Sequence, residues 1–188
     1  MKFCSNCGSS DIEHKIPEGD NRLRHCCPHC DMVFYENPKI VTGCIAQWQN
    51  KILMCKRAIE PRVGTWTLPA GFMENHETIQ EAAARETFEE ATARTSNLEL
   101  FAIYNLPHIS QVYVIFKADV VDGKASSGIE SLETEFMDEA EIPWPDLSFP
   151  IITETLNLYF EDRARGEFSM HTGEITRDHE RSIQITRY

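Results

Sequence analysis

Residues 71–93 read GFMENHETIQEAAARETFEEATA, and the rest of the chain is best understood from this stretch. Gly71 is followed after five residues by Glu77, after seven more by Arg85-Glu86, and then by Glu89-Glu90. Trp66-Thr67-Leu68-Pro69-Ala70 leads into it. From Thr78 onward, Glu, Ala, Gln, Arg and Thr, uninterrupted by Gly or Pro before Asn97, predict a helix. At about 100° per residue, Glu86, Glu89 and Glu90 share an arc of roughly 100°. Ala84, Phe88 and Ala91 fall on the far side and are the predicted core stripe.

Three carboxylates on one helical arc repel one another, each i,i+4 pair by about a few tenths of a kcal/mol on an exposed helix. A hard divalent cation offsets this best, because Mg2+ takes oxygen ligands and keeps waters for substrate phosphates.

The spacing resembles the Nudix box, Gly-x5-Glu-x7-Arg-Glu-U-x-Glu-Glu-x-Gly-U, where U is aliphatic. Every fixed position up to Glu90 is present; Thr87 and Ala93 occupy U positions and Thr92 stands at the final glycine. The resemblance implies a mixed-sheet α/β/α sandwich, usually dimeric, that hydrolyses a nucleoside diphosphate linked to another moiety. It assigns Mg2+ or Mn2+ to Glu86, Glu89 and Glu90, with a main-chain carbonyl of Ala70 or Gly71 as a further ligand. Catalysis then falls to Glu89 and Glu90, with Arg85 and Glu77 as the orienting pair. Family members draw a base from a Glu-x-x-Glu-x-x-aromatic run, matched here by Glu130, Glu133 and Phe136.

Cys4-Ser5-Asn6-Cys7 and Cys27-Pro28-His29-Cys30 are separated by nineteen residues, the spacing of a zinc site. Four thiolates give a closed tetrahedral structural site. A segment of about thirty residues buries too little surface to fold unaided, so the metal supplies much of its stability. Cys26 competes with Cys27 for the fourth position; the matching two-residue loops favour Cys27. The expected organisation is a zinc ribbon over 1–36, a catalytic domain over 37–165, and a polar, partly disordered tail over 166–188.

The 188 residues suit one catalytic domain plus a small module. A formal net charge of −12 argues against nucleic-acid binding, which demands Lys and Arg. No apolar run reaches the length of a bilayer span, and Met1-Lys2-Phe3-Cys4 has no apolar leader segment. The expected compartment is a reducing cytoplasm, since paired Cys-x-x-Cys without an export signal reads as metal binding.

Two β-rich runs, Ile40–Trp48 and Lys51–Arg57, predict a hairpin around Gln49-Asn50. Further strands are predicted at 66–68, 98–104, 109–121 and 135–137, with a turn at Pro69-Ala70-Gly71, a helical turn at 138–143 and a second helix over 151–165. Arg57 and Arg62 flank the glycine loop and are candidates for phosphate contact. Trp66, Tyr104 and Tyr113, with His108, are candidates to hold a base or flavin ring.

Zinc-ribbon Nudix enzymes include NADH pyrophosphatases, but their Ser-Gln-Pro-Trp-Pro-Phe-Pro signature is missing after Ala93. Tyr35-Glu36-Asn37-Pro38 and Thr155-Leu156-Asn157-Leu158-Tyr159 instead resemble plant organellar Nudix proteins that cleave FAD or ADP-ribose. The implied substrate is a small dinucleotide or nucleoside diphosphate derivative, such as ADP-ribose, FAD or NADH, cleaved to release AMP by a homodimer. The alternative is a non-catalytic nucleotide sensor whose ribbon binds a partner. An intact Arg85-Glu86-x-x-Glu89-Glu90 core argues against it.

Overall fold

A computed structural model of the chain describes residues 1–178 and 182–188. The chain divides into two compact units, Met1–Asn37 and Pro38–Tyr188. Among the described residues no helix is long and apolar enough to cross a membrane.

The first unit is a three-stranded antiparallel sheet of β1 (Glu13–Lys15), β2 (Arg24–Cys26) and β3 (Val33–Phe34). Two loops of the same form serve it, one before β1 and one between β2 and β3. In each, a Cys-x-x-Cys turn is followed by a residue in the left-handed region, Gly8 at φ 77° and Asp31 at φ 56°. Four sulfurs, of Cys4, Cys7, Cys27 and Cys30, lie within 4.8 Å of one another. Cys26 is not among them, and its thiol turns to the Arg24 carbonyl.

The second unit is a mixed nine-stranded sheet with a helix on each face. Its strands are β4 (Lys39–Trp48), β5 (Lys51–Arg57), β6 (Trp66–Thr67), β7 (Ala70–Phe72), β8 (Thr95–Leu106), β9 (Gln111–Val120), β10 (Ser131–Met137), β11 (His171–Arg177) and β12 (Ile183–Arg187). The main path runs β10-β5-β4-β9-β8-β11-β12, with β6 on β5 and β7 on β4. Parallel pairing of β4 with β9, and of β11 with β8, makes the sheet mixed. The expected turn at Pro69-Ala70-Gly71 is thus partly strand, because Ala70–Phe72 completes the ladder beside β4. Residues 138–143 form turns, and the short 3-10 helix falls just beyond, at Trp144–Asp146.

Alternation along the central strands explains why they read as unbroken apolar runs: both faces are covered. Ile45, Ile52, Met54 and Ile115 point to the core beneath α2 (Pro150–Arg165), with Leu156, Tyr159 and Phe160. Cys44, Ala46, Leu53, Cys55 and Phe116 point the other way, to the core beneath α1 (Ile79–Ala91). That second core is built from small side chains, so α1 lies close on the sheet; the Cys44 thiol reaches the Ala83 carbonyl at 3.6 Å.

This close approach corrects the expected core stripe of α1. The buried residues are Ala82, Ala83, Thr87, Glu90 and Ala91, while Phe88 is 51 % exposed. A large ring has no room where alanine and threonine set the spacing, so the seam is rotated toward the acidic arc and takes Glu90 with it.

Thr78 caps α1 in a reciprocal box with Glu81. At the other end Thr92 takes the left-handed conformation, φ 49°, at the position where the box pattern has glycine. Such a residue costs roughly 1–2 kcal/mol. Its hydroxyl offsets part of that cost by meeting the Ser126 hydroxyl at 2.6 Å and accepting the Ser126 amide at 3.1 Å. Ser126 and Gly128 in turn donate to the otherwise orphaned carbonyls of Ala91 and Glu90. Gly128 has to be glycine, since a Cβ there would stand 1.7 Å from the Glu89 carbonyl oxygen.

The described residues of 166–188, which leave out 179–181, are not the partly disordered tail that their polarity suggested. They form the β11–β12 hairpin on the edge of the sheet. Few apolar residues hold it; ion pairs do more. Asp162, fully buried on α2, takes His171 at 2.8 Å. Glu154, 5 % exposed, accepts from Arg187 at 2.7 Å and from the Tyr104 hydroxyl at 3.0 Å. Arg187→Ala would leave the buried Glu154 carboxylate with one donor. Because Arg187 is half in solvent, the expected loss is about 1–2 kcal/mol, a fall of about 2–8 °C in Tm by scanning calorimetry. An unchanged Tm would mean the pair does not anchor the hairpin.

Candidate active site

Gly71 and α1 meet at the centre of the unit's main cleft. A Cβ on Gly71 would stand 2.3 Å from Oε2 of Glu86, so glycine here is what lets the carboxylate lie against the strand. Glu90, 6 % exposed, accepts the Ala70 amide at 3.3 Å. Burial pushes the Glu90 carboxyl up to about 8, with the Glu86 charge adding to the rise and the Ala70 amide and Arg57 opposing it. Glu86 is raised by burial in the same way, against the pull of Arg85.

Arg85 organises this group. Its guanidinium grips Glu77 with two bonds, Nε to Oε2 at 2.9 Å and Nη2 to Oε1 at 2.7 Å. Nη1 reaches Glu86 at 2.7 Å and Glu89 at 3.0 Å, and Nη2 also donates to the Phe72 carbonyl at 3.1 Å. Arg85 holds the Glu77 carboxyl down at about 2. With these acceptors engaged, Arg85 positions carboxylates; it is not free to meet a substrate.

The cleft has a volume of about 850 Å3 and is lined by Ala70, Gly71, Glu86, Glu89 and Glu90 at one end. Glu130 joins them, carried by the loop that Gly128 ties to the end of α1; its charge is felt by both Glu86 and Glu90. Arg57 lines the same space, donating to the Pro61 carbonyl at 2.9 Å and lying 5.3 Å from the centre of the Phe149 ring. Tyr113 contributes from β9 and His108 from the short 3-10 helix at Pro107–Ile109.

Three expected site residues lie elsewhere. Glu133 faces Lys56, its partner in the β10–β5 ladder, and pairs with it at 2.7 Å. Trp66 and Tyr104 are core residues, 9 % and 1 % exposed, beneath α2. Strand aromatics on a sheet covered on both faces have nowhere else to go. Sequence reading did not single out Phe72, Phe149, Arg177 or Ile183 as cleft residues. Phe149 precedes a helix-starting Pro150, a signal that could have placed it at a helix mouth; Arg177 and Ile183 sit on the unrecognised hairpin.

The donor sets fit metals. The buried carboxylate of Glu90, the half-buried one of Glu86, a third at the rim and adjacent backbone carbonyls are a hard-oxygen set suited to a divalent cation. In the first unit the Cys4–Cys30 and Cys7–Cys27 sulfurs are each 3.6 Å apart, close to the ~3.8 Å edge of a tetrahedron with 2.3 Å metal–sulfur bonds.

Comparison with known proteins now places the chain. The NUDIX domain model matches residues 37–156 and the Nudix N-terminal zinc-ribbon model residues 2–36. The chain belongs to the Nudix hydrolase family. A crystal structure of a NUDIX hydrolase from Nitrosomonas europaea is 52 % identical, with a TM-score of 0.90 over 94 % of this chain and 100 % of that one. A protein named ADP-ribose pyrophosphatase from Methanocaldococcus jannaschii is 33 % identical over 115 residues, 58 % of this chain and 67 % of that protein. One named NAD-capped RNA hydrolase NudC from Edwardsiella ictaluri is 32 % identical over 123 residues, 65 % of this chain but 45 % of its own length. This chain thus spans under half of that longer relative.

Glu90 gives a test of the site's electrostatics. Its folded pKa lies above the usual carboxylate value, so in metal-free protein its contribution to stability is lost as pH rises from about 4.5 toward 8. Glu90→Gln removes a buried charge and keeps an acceptor for Ala70. In chelator at pH 8 this variant is expected to melt at or above the parent temperature. A clear fall in Tm would show that Glu90 is there for the fold.

Proposed function

We propose that this chain hydrolyses the diphosphate of ADP-ribose, FAD or NADH, releasing AMP, with Mg2+ or Mn2+ held by Glu86, Glu89, Glu90 and a carbonyl of Ala70 or Gly71. The observation that carries this reading is the placement of buried Glu90 and half-buried Glu86 beside Ala70 and Gly71, with Glu89 and Glu130 facing the same cleft. Carboxylates brought together out of water either hold a proton or need a positive charge to complete them, and a divalent cation leaves both ionised. One cation, Arg85, is already divided among Glu77, Glu86 and Glu89.

When bound, the divalent cation neutralises phosphate charge and lowers the pKa of an attacking water. Glu130 is proposed as the base that takes the proton from that water, since it borders the cleft close enough to perturb Glu86 and Glu90. Water adds to one phosphorus, the P–O–P bridge breaks, and the bridging oxygen leaves with the other phosphate. Arg85 and Glu77 fix the carboxylates, while Arg57 is placed to meet a phosphoryl oxygen. Tyr113, His108 and Phe149 supply rings for the base or flavin.

A small molecule suits the acidic chain better than an RNA strand: 30 Asp and Glu against 18 Lys and Arg leave no track for a polyphosphate backbone. The names of two relatives, an ADP-ribose pyrophosphatase and a hydrolase of NAD-capped ends, support an adenosine diphosphate core. A homodimer in the cytoplasm, with Zn2+ on Cys4, Cys7, Cys27 and Cys30, completes the proposal.

Hydrolysis is checked by chromatography of AMP released from each substrate with Mg2+ or Mn2+. Glu90→Gln is expected to lower kcat by about 10²-fold, roughly 3 kcal/mol. Glu130→Gln should lower kcat with the metal requirement unchanged and flatten the acidic limb of the pH–rate profile. No AMP from any of the three substrates, with nucleoside triphosphates cleaved instead, would refute the substrate class. Elemental analysis of freshly purified protein is expected to find one zinc per chain; none would refute the zinc assignment.

A further inference from the structure

The end of the cleft away from the carboxylates has a different character. The hairpin turns one face inward: Ile175 opposes Ile185, and Arg177 opposes Ile183, so alternation sets all four side chains on the same side. Ile175, Arg177 and Ile183 line the main cleft, and Ile185 lines a depression of about 320 Å3 that adjoins it. The two spaces share Arg62, Phe149 and Pro150. An apolar shelf of three isoleucines therefore lies between two arginines.

Like Arg22 and Arg57, these two arginines make no ion pair among the described residues. Acids outnumber bases 30 to 18, and Arg24, Arg85, Arg94, Arg163, Arg165 and Arg187 are all in ion pairs. The side chains of Arg62 and Arg177 have no carboxylate partner among the described residues. The first turn of α2, which has no side-chain cap, opens at Phe149 and Pro150 and adds positive potential to the same corner. In the order β7-β4-β9-β8-β11, three strands separate the strand of Arg177 from that of Gly71, against which Glu86 lies. A diphosphate seated beside Glu86 and Glu90 leaves the hairpin side of the cleft to a group on the far side of a sugar.

We propose that Arg62 and Arg177, set around the isoleucine shelf of the C-terminal hairpin, form an anion subsite that selects diphosphate substrates carrying a further phosphate monoester. The shelf takes the sugar or base, and the two guanidinium groups take the phosphate oxygens by charge-assisted, fork-like hydrogen bonds. Neither residue touches the reacting phosphorus; each acts on specificity. The inference rests on the hydrolysis proposed above, in which the carboxylate end holds the diphosphate.

The test compares ADP-ribose with two probes, one bearing the extra phosphate on the adenosine 2′ oxygen and one on the terminal ribose. One probe is expected to exceed ADP-ribose in kcat/KM by about tenfold at low salt. Arg62→Ala and Arg177→Ala should each reduce that preference several-fold, and Arg177→Ala should change kcat/KM for plain ADP-ribose by less than about twofold. Equal kcat/KM for all three substrates, or arginine variants that lose equally on all three, would overturn the subsite; the second result would move the arginines to the diphosphate itself. If no substrate is cleaved, calorimetric binding to the metal-free protein still decides. Adenosine 2′,5′-bisphosphate or ribose 1,5-bisphosphate should bind more tightly than its monophosphate parent, AMP or ribose 5-phosphate, and lose that advantage in both variants. No advantage for either bisphosphate would overturn the subsite independently of catalysis.

Discussion

The structure turns on two carboxylates drawn out of water where carboxylates are costly, Glu90 buried and Glu86 half-buried. Glu86 lies against Gly71 and Glu90 sinks into the seam between α1 and the sheet. Neither position is favoured by folding alone, since burial raises the pKa of both. Several surrounding features make sense as means of holding them there. Gly71 removes the side chain that would displace Glu86. The small residues beneath α1 bring the helix down far enough to carry Glu90 inward. Arg85 spreads one charge over three glutamates and locks the loop through Glu77 and the Phe72 carbonyl.

The C-terminal end of α1 extends this logic to a fourth acid. Thr92 accepts a strained backbone to turn the chain, and its hydroxyl fastens Ser126. Gly128 then passes against the Glu89 carbonyl and donates to that of Glu90, which fixes the start of the loop carrying Glu130. A threonine in place of glycine thus changes how the turn is stabilised without changing where the chain goes.

Sequence legibility followed the length scale of the forces involved. Residues 71–93 could be read because a helix repeats every few residues and the acids must share one face. β4, β5 and β9 could be read because both of their faces are apolar. The four cysteines were legible from spacing, and their sulfurs converge without Cys26. What failed depends on contacts far apart in the chain. The β11–β12 hairpin carries little apolar periodicity and is held by Asp162 and Glu154, charges on another element. Phe88 was read as core because it lies opposite the acidic arc, yet the seam takes small residues and leaves it exposed. Trp66 and Tyr104 were placed at the site by residue type and Glu133 by the Glu-x-x-Glu-x-x-aromatic run; two-sided burial puts the first two in the core and ladder register puts the third on Lys56.

The central claim is that the buried carboxylates exist to hold a divalent cation. Titration with Mn2+ followed by electron paramagnetic resonance tests this most directly, because it reads the bound ion without any substrate. The account calls for saturable binding in the parent chain and for Glu81→Gln, whose side chain caps the helix and can still do so as glutamine. It calls for weakening by about tenfold or more in Glu86→Gln and Glu90→Gln. Mn2+ binding that is unchanged in Glu90→Gln would contradict it.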